Sequence, residues 1–190
     1  MCGRYSFTNP HGDSKIEAIM NMVDRLYPDT CKKGEIFPGD TAPVILLNRG
    51  KIVAAPAVFG FPAYSGGKLI LNARSETAAE KKSFAQALRE TRAVIPASGF
   101  YEWSHDQEKT KYLFEKESSS AIYFCGLYRI MDGQCRFVIL TRGANESMAG
   151  IHDRMPVIID ENMVRPYLTD YDAAIHMIQG PAPVLQHMEA

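Results

Sequence analysis

Apolar positions repeat at helical spacing in only a few places along the chain. Ile16, Ile19, Met20, Val23 and Leu26 follow Ser14, which has Glu17 three residues on. That pairing is a capping box, so an amphipathic helix is predicted over about 14–27. Thr77 and Glu80 form a second such pair ahead of Phe84 and Leu88, predicting a helix near 78–90. Segment 161–168 carries a weaker helical pattern that Pro166 limits. Elsewhere the pattern is that of strands. Pro43–Leu47 and Lys51–Ala55 flank Asn48-Arg49-Gly50, a hairpin turn. Ala121–Ile130 and Cys135–Thr141 flank Met131-Asp132-Gly133-Gln134, a second hairpin. Ala93–Pro96, Phe100–Trp103, Lys111–Phe114 and Met155–Ile159 complete the predicted set. Strands dominate without regular βαβ alternation, which predicts an α+β fold with a mixed or antiparallel, barrel-like sheet. No repeat or linker breaks the chain, so one domain is expected over 1–180, with 181–190 as a surface tail.

Composition narrows the function classes. Of 190 residues, 46% are hydrophobic and 23% charged, near the globular norm, which excludes wholesale disorder. No apolar run reaches the roughly 20 residues of a membrane span. The opening MCGRYSFTNP lacks the apolar core of a secretory signal. A net charge of -1 argues against coating duplex DNA by bulk positive charge, but leaves room for a local anion site. The four cysteines form no C-x-x-C pair and have no histidine at zinc-finger spacing. Cys31, Cys125 and Cys135 are expected as free thiols of a reducing cytosol. No metal and no cofactor are expected.

Cys2 is different. Removal of the initiator methionine is expected when a small residue follows it, and would leave an α-amine and a thiol on adjacent carbons. The amine titrates at about 7.7–8.0 and an unperturbed thiol at about 8.5, so both are available near neutral pH. The distinctive partner of a 1,2-aminothiol is an aldehyde: the amine forms an imine and the thiol closes a thiazolidine. Three further segments bear chemistry. In Asn72-Ala73-Arg74-Ser75-Glu76-Thr77, Arg74 offers a planar fork for phosphate and Asn72 an orienting amide. In Gly99-Phe100-Tyr101-Glu102-Trp103, apolar neighbours predict a Glu102 with a raised pKa, usable as a general acid. In His152-Asp153-Arg154-Met155-Pro156, His152 can shuttle protons and Arg154 is a second phosphate candidate. His11, His105, His176 and His187 have no such company and are read as bland.

With Cys2-Gly3-Arg4-Tyr5, these four ordered motifs resemble the SRAP (SOS-response-associated peptidase) family, over residues 2 to about 168. The resemblance implies an α+β pseudo-barrel with one groove for DNA. It implies a sensor that shields abasic sites in single-stranded DNA by a covalent thiazolidine crosslink through Cys2, with self-reversal and a weak lyase activity. Cys2 then matches the crosslinking nucleophile, and Asn72 the residue holding the amine and the abasic site. Glu102 matches the acid/base of sugar opening, and His152 the second proton-transfer residue. Arg4, Arg74 and Arg154 match phosphate-contacting positions, Pro38 and Trp103 line the DNA path, and Thr141 faces the same site. The implied protein is a DNA-repair enzyme, monomeric, cytoplasmic and nucleoid-associated when bound to DNA.

Three segments depart from the family pattern. Phe59-Gly60-Phe61-Pro62 stands where a Trp-Gly-Leu-Ile-Pro-type segment is usual, with Phe59 and Phe61 expected to stack or wedge against DNA. Glu35 stands where Asn is usual; a carboxylate is unfavourable near phosphate and predicts a loop turned elsewhere. Tyr167-Leu168 replaces Trp-Leu. Two other readings compete: a thiol peptidase acting on its own N-terminus or other chains, and a non-covalent single-stranded-DNA-binding module.

Overall fold

The structure, a computed structural model, describes residues 2–9, 12–64, 66–105, 107–116 and 121–190. Met1 and His11 lie outside these, so removal of the one and the blandness of the other are not addressed by it. In chain order the elements are β1 (Arg4–Phe7), α1 (Ser14–Leu26), β2 (Gly34–Ile36), β3 (Thr41–Asn48), β4 (Lys51–Phe59), β5 (Phe61–Pro62), β6 (Leu69–Ile70) and β7 (Asn72–Arg74). Then come α2 (Ser75–Ala78), α3 (Lys82–Glu90), β8 (Arg92–Ala97), β9 (Gly99–Trp103), β10 (Lys111–Lys116), β11 (Ile122–Met131) and β12 (Gln134–Gly143). The chain ends with β13 (Arg154–Pro156), β14 (Ile158–Ile159), a 3-10 turn over Glu161–Met163, α4 (Val164–Thr169), α5 (Tyr171–Gln179) and β15 (Leu185–Glu189).

Five strands close on themselves. β12 pairs β4, β4 pairs β3, β3 pairs β8, β8 pairs β11, and β11 returns to β12. Only the β12–β4 contact in this ring is parallel; the other four are antiparallel. Closure removes the open edges that an all-strand core would otherwise expose. The two hairpins within the ring use two-residue turns. Asn48 pairs with Lys51, and Arg49 and Gly50 both have positive φ, 49° and 76°. Met131 pairs with Gln134 around Asp132 and Gly133, at 48° and 76°. Positive φ at both positions is the primed turn whose twist suits hairpins, which is why Gly appears second in each. The predicted barrel-like α+β fold is what forms.

A second sheet, in the order β15-β10-β9-β1-β2, covers the barrel. Aromatic rings join the two. Tyr5 of the sheet meets Phe59 and Phe124 of the barrel edge-on, at centroid distances of 5.8 and 5.9 Å. Phe100 meets Phe124 at 5.9 Å and stacks on Phe114 at 5.1 Å. All five rings are fully buried.

Several local expectations change. The N-cap of α1 is Asp13, not Ser14: its carboxylate accepts from the amides of Lys15 and Ile16, and also of Ala121. The helix expected near 78–90 is two helices. Thr77 falls inside α2, and α3 starts after Lys81 without a side-chain cap. Pro166 does not limit α4; it lies in the first turn, where a missing N–H costs nothing. The sequence pattern predicts neither α5 nor β15. Residues 185–189, expected in a tail, pair with β10 from Leu185↔Lys116 to Glu189↔Tyr112. Only Leu185 of that strand is buried, so it is an edge held mainly by its backbone.

Candidate functional site

The site is built where both sheets present strand ends. β1 starts two residues after Cys2, and its register sets Arg4 opposite Tyr101 on β9. Alternation then turns Phe100 and Glu102 inward, and Tyr101 and Trp103 to the outer face. β7 extends along β12 and brings Asn72 opposite Ile139 and Arg74 opposite Thr141. On the other edge of β12, β13 sets Arg154 opposite Gly143, shortly after His152. Cys2, Asn72, Glu102 and His152 thus come together from four distant segments.

The contacts are specific. Asn72 Nδ2 donates to the carbonyl of Cys2 at 3.0 Å. His152 Nε2 lies 3.9 Å from Glu102 Oε2. The Arg154 amide donates to His152 Nδ1 at 2.9 Å, which makes Nδ1 the acceptor and leaves the proton of the neutral ring on Nε2, facing Glu102. Asp153 Oδ1 also lies 2.9 Å from Nδ1, but that carboxylate is mostly exposed, and the amide is the obligate donor.

Burial sets the protonation states. Glu102 is 3% exposed, and desolvation raises its pKa. Desolvation lowers that of His152, holding the ring neutral. Cys2 is fully buried, and burial followed by the Glu102 charge pushes its thiol well up. The sequence expectation has amine and thiol both available near neutral pH; burial shifts the thiol away from that, toward its protonated form.

Other candidates divide. Arg4 lies with its guanidinium 4.4 Å from the Phe37 ring and 5.0 Å from the Trp103 ring. Pro38 is exposed beside Phe37, Trp103 is half-buried, and Arg74 is exposed. Arg154 is not open to an incoming phosphate. It forms a two-point pair with Glu76, at 2.6 and 2.9 Å, and donates to the Thr141 carbonyl at 2.8 Å. Thr141 is fully buried beneath it. Phe59 and Phe61 are core residues here, not wedges. Phe59 is fully buried and stacks on Phe137 at 5.0 Å; Phe61 is 3% exposed, under the Arg129 guanidinium. Glu35 does not turn away either: it sits on β2 and pairs with Arg4 at 3.4 Å. Tyr167 is a buried strut whose hydroxyl donates to the Gly126 carbonyl at 3.0 Å.

His105, bland by sequence, is not bland in space. Its ring meets that of His152 edge-on at 4.6 Å. The two histidines line a cavity of about 520 Å³ with Glu102, Trp103, Ser104 and Lys109. His105, His152 and Asp153 hold donor atoms within 4.8 Å of one another, a set that could take a cation. The Nδ1 lone pair of His152 is already engaged by the Arg154 amide, which competes with a cation for that atom. The four cysteines are free.

The SOS response associated peptidase (SRAP) family profile matches residues 1–189. "Abasic site processing protein YobE" of Bacillus subtilis (strain 168) is 42% identical over 117 residues, 56% of this chain and 53% of that protein. "Abasic site processing protein YoqW" of the same organism is 40% identical over 124 residues, 60% of this chain and 55% of that protein. This chain thus spans about half the length of these relatives. "Abasic site processing protein YedK" of Escherichia coli (strain K12) is 25% identical over 178 residues, 88% of this chain and 79% of that one. The fold recurs in a phage-related protein from Bordetella bronchiseptica, with a TM-score of 0.75 at 21% identity, covering 100% of this chain and 94% of that chain. A protein from Bacteroides thetaiotaomicron has a TM-score of 0.74 at 17% identity, covering 99% and 91%. The chain belongs to the SRAP, SOS response associated peptidase, family.

Proposed function

We propose that this chain captures abasic sites in single-stranded DNA through Cys2 once Met1 is removed. The observation that carries the reading is the Asn72 amide on the Cys2 carbonyl, next to the Glu102–His152 pair. Loss of Met1 is a requirement, because only then is the Cys2 nitrogen an amine.

The chemistry follows from protonation. In its protonated form, which burial favours, Glu102 donates to the ring oxygen of the abasic sugar while the C1′ hydroxyl passes its proton to water, and the ring opens to an aldehyde. The Cys2 amine adds to C1′ and the adduct loses water to give an imine. The Cys2 thiol then adds across C=N: sulfur bonds C1′ and its proton ends on nitrogen. The sum is aldehyde plus aminothiol giving thiazolidine plus one water. Because burial favours the protonated thiol, the amine acts first. His152, neutral with its Nε2–H facing Glu102, steadies the carboxylate left by the proton transfer to the sugar, and solvent returns its proton between steps. Run backwards, the same steps reverse the crosslink, and β-elimination at the imine stage predicts a weak lyase activity.

Two supports come from elsewhere. Three relatives bear the name abasic site processing protein. Among the described residues, no helix is long and apolar enough to cross a membrane. The reading is of a cytoplasmic protein acting as one copy on exposed single strands and joining the nucleoid when bound. A thiol peptidase would need a thiolate, which the burial of Cys2 opposes.

The test is incubation of protein confirmed to lack Met1 with a single-stranded oligonucleotide carrying one abasic site. A denaturation-resistant adduct weighing the sum of the two less one water is expected, and Cys2→Ala abolishes it. No adduct at neutral pH rejects the reading.

A further inference from the structure

The outer face of the β15-β10-β9-β1-β2 sheet carries a feature that the chemistry above does not use. Register sets Arg4 opposite Tyr101, Lys111 opposite Trp103, and Glu35 opposite Ser6. All six therefore share one face. Lys111 Nζ lies 4.0 Å from the centre of the Tyr101 ring and 6.0 Å from that of Trp103. Arg4 lies over Trp103 and Phe37. Two cations are thus seated on a row of rings, with the Trp103 indole shared between them. Glu35 joins them, with Oε1 3.1 Å from Lys111 Nζ and 3.4 Å from Arg4 Nη1. Its other oxygen accepts from Lys111 at 3.2 Å.

We propose that Arg4 and Lys111 form a phosphodiester site in which Glu35 is the resident anion, exchanging with a backbone phosphate when single-stranded DNA docks. The inference rests on the function proposed above and concerns the selectivity of its binding face. A carboxylate bridging two cations occupies the place a phosphate oxygen would take, and both cations are already oriented by the rings beneath them. The ion bridge is partly solvent-exposed, with 25% of the Glu35 side chain accessible, so solvent screening moderates what it costs to open. Two positive charges against one negative leave a net +1. The consequence is a face that holds an intact strand weakly and leaves permanence to the covalent bond. It also explains how a carboxylate is tolerated beside a phosphate path: Lys111 compensates for it.

The test uses a fluorescent single-stranded oligonucleotide with every base intact, so that its outcome is independent of crosslinking. Binding by wild type, Glu35→Gln and Lys111→Gln, all lacking Met1, is followed by anisotropy across a salt series. Glu35→Gln should bind on the order of tenfold tighter at low salt, with the salt dependence steeper by about 0.7 in log–log slope, as for one phosphate contact uncovered. Lys111→Gln should weaken binding. If Glu35 merely props Arg4 and Lys111 in place, Glu35→Gln weakens binding instead. That result, an unchanged affinity in Glu35→Gln, or an unchanged affinity in Lys111→Gln overturns the proposal. Thermal melts of both variants verify folding. Failure of the abasic-site adduct assay, run on the same samples, would strike the proposed function and leave this result standing.

Discussion

The side-chain amide of Asn72 holds the carbonyl of Cys2 at 3.0 Å across 70 positions of sequence. This one bond fixes the segment ahead of β1 against the end of β12, because Asn72 is itself held by the β7–β12 pairing. The position of Cys2, the proposed nucleophile, is thereby tied to the barrel, not to the N-terminus alone. Asn72→Ala should leave the fold intact and slow adduct formation. A nucleophile displaced by about 1 Å loses on the order of 100-fold in rate. Single-turnover crosslinking with an unchanged melting temperature checks this; an unchanged rate would remove Asn72 from the site.

Glu102 ties its proposed acid–base role to stability. Desolvation raises its pKa in the folded chain above the ordinary 4.5. The folded state therefore holds a proton that the unfolded state releases. Stability is greatest below the unfolded value and declines as pH rises through the folded one. Glu102→Gln removes that dependence. The variant should melt higher than wild type at neutral pH, lose the decline in this window, and crosslink more slowly. A lower melting temperature at neutral pH would mean that the carboxylate is held by attractions stronger than its desolvation.

Glu76 behaves oppositely. Its hydrogen bonds with Arg154 lower its pKa from 4.5 to about 2. The pair's contribution is present above the unfolded value and is lost as pH falls through about 2. Half of the Glu76 side chain is solvent-accessible, so screening limits the effect. Glu76→Gln should cost about 1 kcal/mol or less near neutral pH. It should also free Arg154, whose fork would then meet phosphate directly, so a tighter hold on intact single strands is expected. Urea unfolding at pH 7 and pH 3 reads the first effect, and anisotropy the second.

How far the sequence disclosed this arrangement depended on whether a signal was local. The hairpins at Arg49-Gly50 and Asp132-Gly133 were legible because their turns need residues that accept positive φ. The buried state of Glu102 was legible from its apolar neighbours. α5 was missed although Asp170 caps it and Ala174 and Ile178 form its buried stripe, a pattern short enough to pass as loop. β15 gave no signal, since four of its five residues are exposed. His105 gave none either: its closeness to His152 is created by β9 and β13 meeting in space. Phe59 and Phe61 misled because an aromatic pair at a turn fits a wedge or a core equally well, and only barrel closure decides.

The barrel's outer support yields the last prediction. Arg92 begins β8 and is 7% exposed, which desolvation would ordinarily penalise. Its guanidinium donates to four carbonyls: those of Leu88 and Arg89 at the end of α3, at 2.8 and 2.7 Å, and those of Tyr167 and Leu168 in α4, at 2.6 and 3.1 Å. Helix ends leave carbonyls without partners and carry partial negative charge, so one planar cation answers both needs. Two helices are thereby clamped to the strand that carries on, through Ser98, to Glu102. Arg92→Leu keeps the apolar stem but strands these acceptors, and should cost about 1–3 kcal/mol in urea unfolding. Arg92→Lys retains the charge yet has a single nitrogen, which cannot span both helix ends, so it should recover only part of the loss. Equal stability of the Lys variant and wild type would show that charge, not the four-way geometry, holds the helices.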